Sequence, residues 1–481
     1  MSCLLIQKTQ YCPDNNNSNN NNNNSMELQE GKKHILAVAY PAYGHTTPLL
    51  ELCRKLSRYH HVTFAVSRFT ADRMRQREFT ALGEDEPVVL FPIDDGVASD
   101  ATVNVEEWEA AHDMAVKHIL PGAQNLMVEV AALTQNGQDN GLHRPVDVVI
   151  FDMFLAPPIM AERVPGVLYY YFNTPPAYFL RYLLLLKDVT ETIPFEEQDF
   201  FQDLPPAGEP LGPQSQMLLD EMGVLGKYLP EVDGVVCNSY RAVDREDIAV
   251  LEEKGEIKGK IYCVGPFIPP VNNTTGSETD AAIFRWLDTQ KPHSVLYISF
   301  GSMAVPTEPQ LQEIARALLD LGVAFIWSLR KGHEEKLPTE MREQMANATE
   351  EQRHFWIVPW APQKAILSHR ATGAYLSHCG WNSALESMSA GVPVLSWPLF
   401  ADQRSIGQLL VKRGAALMLS NTDMFFRHIV PAEEIRTAIG TLLIEPAYRD
   451  NMQDIRQEIA DALADDGSST RELKEFVQFN V

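Results

Sequence analysis

The sequence predicts an α/β protein made of two doubly wound, Rossmann-like parallel-sheet domains that face each other across a cleft. Three observations carry this. Short apolar strands alternate with helix-length amphipathic stretches, the pattern of a parallel sheet with crossover helices. The alternation occurs as two series, one from 34 to 265 and one from 294 to 420. Between them PFIPPVNNTTGSETD (266–280) replaces periodicity with Pro, Asn, Thr and Gly, which reads as an interdomain linker.

In chain order, residues 1–30 are low-complexity, with an Asn-rich run from Asn15 to Asn24. Such a polar tract buries too little apolar surface to order itself, so it is read as a disordered tail, and Met26 is as good a start as Met1. The first domain, 31–265, takes its strands from HILAVAY (34–40), VTFAVS (62–67), VVLFPI (88–93), VDVVIFD (146–152), GVLYYYF (166–172), DGVVCNS (233–239) and IYCVG (261–265). Its segment 173–232, rich in Leu, Phe, Tyr and Pro, reads as helices lining an apolar groove with Tyr178, Phe179, Tyr182 and Leu183, a packed core being the alternative. The second domain, 281–465, follows the 266–280 linker. Its strands are SVLYISFG (294–301), AFIWSL (324–329), FWIVPW (355–360), GAYLSHCG (373–380), PVLSWP (393–398) and AALMLS (415–420). Residues 466–481 close the chain with an amphipathic helix candidate, RELKEFVQFNV.

Composition narrows the class. The 481 residues carry a net charge of −24, from 64 acidic against 40 basic side chains. That argues against a nucleic-acid partner, whose phosphates call for a basic face. The six cysteines (3, 12, 53, 237, 263 and 379) form no close pair, as in a reduced compartment. Leu4-Leu5-Ile6 is too short for a signal-peptide core. The longest apolar stretch, 167–186, is interrupted by Asn173, Pro175, Pro176 and Arg181, so no integral membrane segment is expected. A cytoplasmic, monomeric protein is the expectation.

Chemistry concentrates at strand ends. After the first strand, Gly44 and the flanking prolines make a tight turn that leaves His45 at a helix start, facing the cleft. A helix N-terminus disfavours imidazolium, so His45 is expected to be neutral and able to accept a proton. The alternative is a loop His satisfied by backbone. Asp152 ends the fourth strand and faces the same crevice; it either orients and stabilises the His45 ring or caps the next helix. No G-x-S-x-G is present, which argues against hydrolase chemistry of that type.

In the second series, SFGSM (299–303) offers Gly301 and Ser302 as a phosphate contact. No G-x-x-x-x-G-K-[ST] or G-x-G-x-x-G accompanies it. HCGWNS (378–383) is more specific: His378 ends a strand, Gly380 makes the turn, and Asn382 and Ser383 open a helix whose N-terminus suits a diphosphate. Glu386, one turn on, suits ribose hydroxyls. Trp360 offers a flat face to a base, with Gln363 nearby to read its edge. His378 and Cys379 lack a second ligand pair at zinc spacing, and no metal is expected.

Trp360 to Gln403 resembles, nearly end to end, the signature box of the plant-type UDP-sugar-dependent glycosyltransferases, family 1 enzymes of GT-B fold with small-molecule acceptors. The resemblance extends over 34–481. It implies that Trp360 stacks on uracil, that Ala361 (through its backbone) and Gln363 read the base, and that Glu386 holds the ribose. It further implies that Ser302, His378, Asn382 and Ser383 hold the diphosphate, with Gly380 in the same donor site, and that Trp381, Asp402, Gln403 and Thr174 contact the sugar. The terminal Gln403 goes with glucose in this family. His45 is implied as the base that deprotonates the acceptor, supported by Asp152. One departure is visible: the Asn often found three residues past the box is Ile406. The implied reaction is inverting transfer of a hexose from UDP-glucose, as co-substrate and with no cofactor, to a hydroxyl of a small apolar acceptor such as a phenol, flavonoid, terpenoid or hormone. The alternatives are a UDP-sugar epimerase or hydrolase of the same fold and a non-catalytic UDP-sugar sensor.

Overall fold

Seven apolar runs, all but the edge strand β3 largely buried, build the first sheet: β1 (His34–Val38), β2 (His61–Ser67), β3 (Val89–Ile93), β4 (Val148–Asp152), β5 (Leu168–Asn173), β6 (Gly234–Cys237) and β7 (Lys260–Cys263). Six build the second: β8 (Val295–Ser299), β9 (Ala324–Ser328), β10 (Phe355–Val358), β11 (Thr372–Ser377), β12 (Val394–Ser396) and β13 (Ala416–Met418). The computed structural model describes residues 31–75, 87–94, 117, 119–136, 142, 144–188, 222–269, 277–301, 304–399, 402–420, 422 and 426–479. The tail 1–30, the linker stretch 270–276, the groove stretch 189–221 and Ser302 lie outside these.

The strand orders are β3-β2-β1-β4-β5-β6-β7 and β10-β9-β8-β11-β12-β13, parallel throughout. Both sheets are doubly wound, as the alternating strand faces show. Leu36 and Val149 join one core layer while their neighbours Ile35 and Val148 join the opposite one. Leu296 and Tyr297 divide in the same way in the second sheet. Strands covered on both faces have to be apolar at every position, which is why they are conspicuous in the sequence.

The order of each sheet reverses at one place, between β1 and β4 and between β8 and β11. Open α/β sheets bind ligands outside the carboxyl ends of strands at such a switch point. Register fixes what meets there. Val38 pairs with Phe151, bringing the β1 exit beside Asp152. Ser299 pairs with Ser377, bringing Gly301 beside His378.

The last helix, Ser468–Phe476, lies against the outer strand β7. Phe476 packs edge-on against Tyr170 with centroids 5.0 Å apart, and Glu472 accepts from the Cys263 amide at 2.6 Å. An otherwise open sheet edge is thereby covered. Both sheets and this helix belong to one compact unit, Lys33–Val481. Among the described residues no helix is long and apolar enough to cross a membrane.

Candidate active site

On the first sheet the chain leaves β1 and turns at once into the helix Tyr43–Leu56, with His45 in its first turn. The Nδ1 atom of His45 is 2.7 Å from Oδ2 of the fully buried Asp152. Asp152 serves two partners: Oδ1 accepts from the Phe154 amide at 3.1 Å, capping a short turn, while Oδ2 holds the imidazole. The orienting role and the capping role are therefore both filled. Tyr40 and Phe154 pack on the ring with centroids 5.6 and 5.0 Å away. With Nδ1–H donating to Asp152, Nε2 is the nitrogen left to take a proton.

The downward pull expected from the helix terminus is not what prevails at His45. Burial pulls its imidazolium down, but the charge and hydrogen bond of Asp152, joined by the charge of Asp402, outweigh burial and leave the pKa above 6.5. A carboxylate in contact exceeds the partial charge of a helix terminus. Thr174, expected at the sugar, has Oγ1 within 3.4 Å of both His45 Nδ1 and Asp152 Oδ2, and is buried.

On the second sheet the β11 exit is strained and glycine-dependent. Cys379 takes a left-handed φ of 62°, with its amide held by Ser377 Oγ at 3.0 Å. The His378 ring is wedged between two glycines: a Cβ on Gly301 or Gly380 would lie 2.7 Å from its Nε2. Burial pushes His378 down to about 4, so it is a neutral hydrogen-bonding group. Gly380 then leads into the helix Trp381–Ala390, whose first-turn amides lack intrahelical acceptors.

Trp360 follows β10 and is 63% exposed, an unusual state for the largest apolar side chain. Ala361 beside it is buried. Gln363, expected to read the base edge, is held by neighbouring side chains. Its Nε2 donates to Glu386 Oε2 at 2.8 Å and Ser383 Oγ at 3.1 Å, and its Oε1 accepts from the Tyr375 hydroxyl at 3.0 Å. Gln363 thus stands with Glu386, at the end assigned to ribose, because the buried Tyr375 hydroxyl fixes which way its amide points. Burial raises the Glu386 pKa, and Gln363 opposes this by hydrogen bonding.

Trp381 departs from its expected place. Its indole is buried among Tyr240, Ile406 and Met452, and Nε1 donates to the Asn238 carbonyl at 2.7 Å. Only its backbone is left for a ligand. The same cluster accounts for Ile406: an apolar side chain suits a site that is fully buried. Asp402 precedes the helix Gln403–Lys412; burial pushes its carboxyl up to about 6. Gln403 is buried, and its Oε1 accepts from the Leu399 amide at 2.9 Å.

The two sheets meet at these strand ends. Asn382 Nδ2 donates to the Gly44 carbonyl at 2.9 Å, and the Tyr178 hydroxyl donates to the Asp402 carbonyl at 3.2 Å. Of the four expected groove residues, Phe179 and Leu183 are core, while Tyr178 and Tyr182 pack at its margin. Asn238 went unnoticed in the sequence, although a polar residue closing a buried strand is the signal that identified Asp152.

Known proteins share this fold. A family model described as UDP-glucoronosyl and UDP-glucosyl transferase matches residues 267–459. The chain is 28% identical to UDP-glycosyltransferase 72D1 of Arabidopsis thaliana over 92% of this chain and 98% of that protein. It is 35% identical to UDP-glycosyltransferase 71A15 of Malus domestica over 53% of this chain and 55% of that one. Among solved structures, Medicago truncatula UGT71G1 complexed with UDP-glucose superposes with a TM-score of 0.75 at 26% identity, covering 93% of this chain and 98% of that one. Phytolacca americana UGT2, complexed with UDP-2fluoro-glucose and pterostilbene, has a TM-score of 0.70 at 25% identity, covering 92% and 98%. Two switch-point sites on doubly wound sheets, together with these matches, make the chain similar over nearly its whole length to plant UDP-glycosyltransferases and mark it as an enzyme that transfers a sugar from a UDP-sugar.

Proposed function

We propose that the enzyme transfers glucose from UDP-glucose, with inversion, to a hydroxyl of a small apolar acceptor. The observation that carries this is the His45–Asp152 pair, which leaves Nε2 as a base at the end of the first sheet while the second sheet presents a diphosphate-type site. Nε2 takes the acceptor proton as the acceptor oxygen attacks the anomeric carbon. The bond from that carbon to the phosphate oxygen breaks on the opposite face, and UDP leaves with the electron pair. Asp152 stabilises the imidazolium formed.

The donor site divides into parts. Trp360 stacks on uracil beside the Ala361 backbone, and Glu386 with Gln363 takes the ribose. The first-turn backbone amides of Asn382 and Ser383, with Gly380, Ser302 and a donating His378, hold the diphosphate at a helix N-terminus, while the Asn382 side chain is engaged by Asn238 and Gly44. Asp402 and Gln403 meet the sugar, and Gln403 favours glucose. Residues 31–265 carry the acceptor side, 281–465 the donor side, and 266–280 joins them. No metal enters this scheme, since the helix terminus and His378 offset the leaving charge; a chelator should leave the rate unchanged. Aromatic and aliphatic residues near Tyr178 and Tyr182 support this acceptor class, as does the pterostilbene held by the Phytolacca americana relative.

The test is direct. Purified protein is incubated with UDP-glucose or UDP-galactose and a panel of phenols, flavonoids and terpenoids, and products are weighed by mass spectrometry. A gain of one hexose on an acceptor, faster from UDP-glucose, is the expected result. Free hexose or an epimerised nucleotide without acceptor product overturns it in favour of the hydrolase or epimerase, and binding without turnover in favour of the sensor.

A further inference from the structure

Asn238 closes β6 with no solvent exposure and ties four segments together. Its amide donates to the Asn173 carbonyl at 3.0 Å, and its carbonyl accepts from Trp381 Nε1 at 2.7 Å. Its Oδ1 accepts from the Phe267 amide at 2.8 Å. Its Nδ2 donates to Asn382 Oδ1 at 3.2 Å, and Asn382 Nδ2 in turn donates to the Gly44 carbonyl at 2.9 Å. Gly44 immediately precedes His45.

We propose that Asn238 is a positioning residue for the transfer: it orients the Asn382 amide against Gly44 and so sets the spacing between the leaving-group helix and the helix that carries His45. This rests on the function proposed above. A side-chain amide has one accepting and one donating end. Because Asn238 donates to the Asn382 carbonyl, the Asn382 amino group is turned to the Gly44 carbonyl. Without that donor the Asn382 amide loses its preferred sense, and the joint between the two sheets loosens. Asparagine alone serves both sides of Asn238, since Phe267 needs an acceptor and Asn382 a donor. In Asn238→Asp the acceptor for Phe267 and the carbonyl for Trp381 remain, while an oxygen faces Asn382 Oδ1 and forces that amide to turn over.

Misplacing reacting groups by about 1 Å costs on the order of 10²-fold in rate. Asn238→Asp and Asn238→Ala should therefore lower kcat by about 10-fold or more, with the Kd for UDP and the KM for UDP-glucose changing less than about threefold. Asn238→Ala made in an Asn382→Ala background should add less than about twofold, because the two residues act as one unit. Hydrogen exchange in the same variants should speed up in both 42–48 and 380–386. Full multiplication of the two defects, a kcat within twofold of wild type in Asn238→Asp, or unchanged exchange in either segment overturns the proposal. If the wild type transfers no hexose yet exchange loosens in both segments, the clamp stands and the proposed reaction falls.

Discussion

The imidazole of His45 and the carboxylate of Asp152 lie 2.7 Å apart although 107 positions separate them in the chain. The contact follows from the placement of β1 beside β4, which sets the exits of both strands on one crevice. A base and its orienting acid need such fixed geometry. Replacing His45 by Ala should lower transfer by about 10²–10⁴-fold, the usual contribution of a general base. UDP binding measured by calorimetry should be unchanged, since His45 stands on the opposite sheet from the nucleotide site. Full activity in the variant would remove His45 from the reaction.

The pair also sets the pH profile. The base must be neutral to act, and its pKa is raised above 6.5. Activity is therefore lost as pH falls through that raised value, giving kcat/KM an acid limb with its midpoint above 6.5. In Asp152→Asn the supporting charge is gone and burial pulls the imidazolium down, so the limb should move to lower pH even as the rate drops. A limb that stays in place, followed by initial rates across a buffer series, would show that another group titrates.

Trp360 separates binding from folding. At 63% exposure its ring contributes little to the core. Base stacking on an aromatic ring is worth about 1–3 kcal/mol, so Trp360→Ala should weaken UDP by about 10- to 100-fold. The thermal midpoint of the free protein should hardly move. A lowered midpoint with intact UDP affinity is the opposite outcome and would make Trp360 a structural residue.

Glu386 makes a prediction about the ribose. Hydrogen bonds to a charged group are worth about 1.5–3 kcal/mol. Wild-type enzyme should therefore prefer UDP over 2′-deoxy-UDP by about 10-fold or more, and Glu386→Ala should bind both nucleotides alike. Competition assays against UDP-glucose read this directly. A preference that survives the substitution places the ribose elsewhere.

Two glycines should respond differently to alanine. Gly301 has φ 76° and no room for a Cβ, which would meet His378 at 2.7 Å. Left-handed backbone costs a non-glycine residue about 1–2 kcal/mol, so Gly301→Ala should lower the melting midpoint and displace His378, weakening UDP. A Cβ on Gly44 meets only Asn382 Nδ2 at 3.8 Å, an ordinary contact. Gly44→Ala should melt with the wild type. Calorimetric scans of the two variants decide it.

Much of this molecule is visible in its residue order. A strand such as VVIFD must be apolar throughout because helices cover both faces, so β4 and its counterparts stand out. Their terminal polar residues, Asp152 and His378 among them, mark the ligand side. Asn238 carries the same mark, but its partners Phe267, Trp381 and Asn382 are contributed by segments that no local pattern links to it. The contacts of Thr174 with His45 and Asp152, and of Gln363 with Glu386, were not legible for the same reason.

Local chemistry alone therefore settles the elements and the doubly wound class, since apolar periodicity and turn residues act over a few positions, while the box from Trp360 to Gln403 is legible by its resemblance to a known family. Tertiary structure decides the rest: which strand ends are adjacent, that Thr174 joins His45 and Asp152, and that Trp381 faces the core. It also decides that His45 carries a raised pKa. Each of these depends on distance in space between groups far apart in the chain, and strand order with register determines that distance.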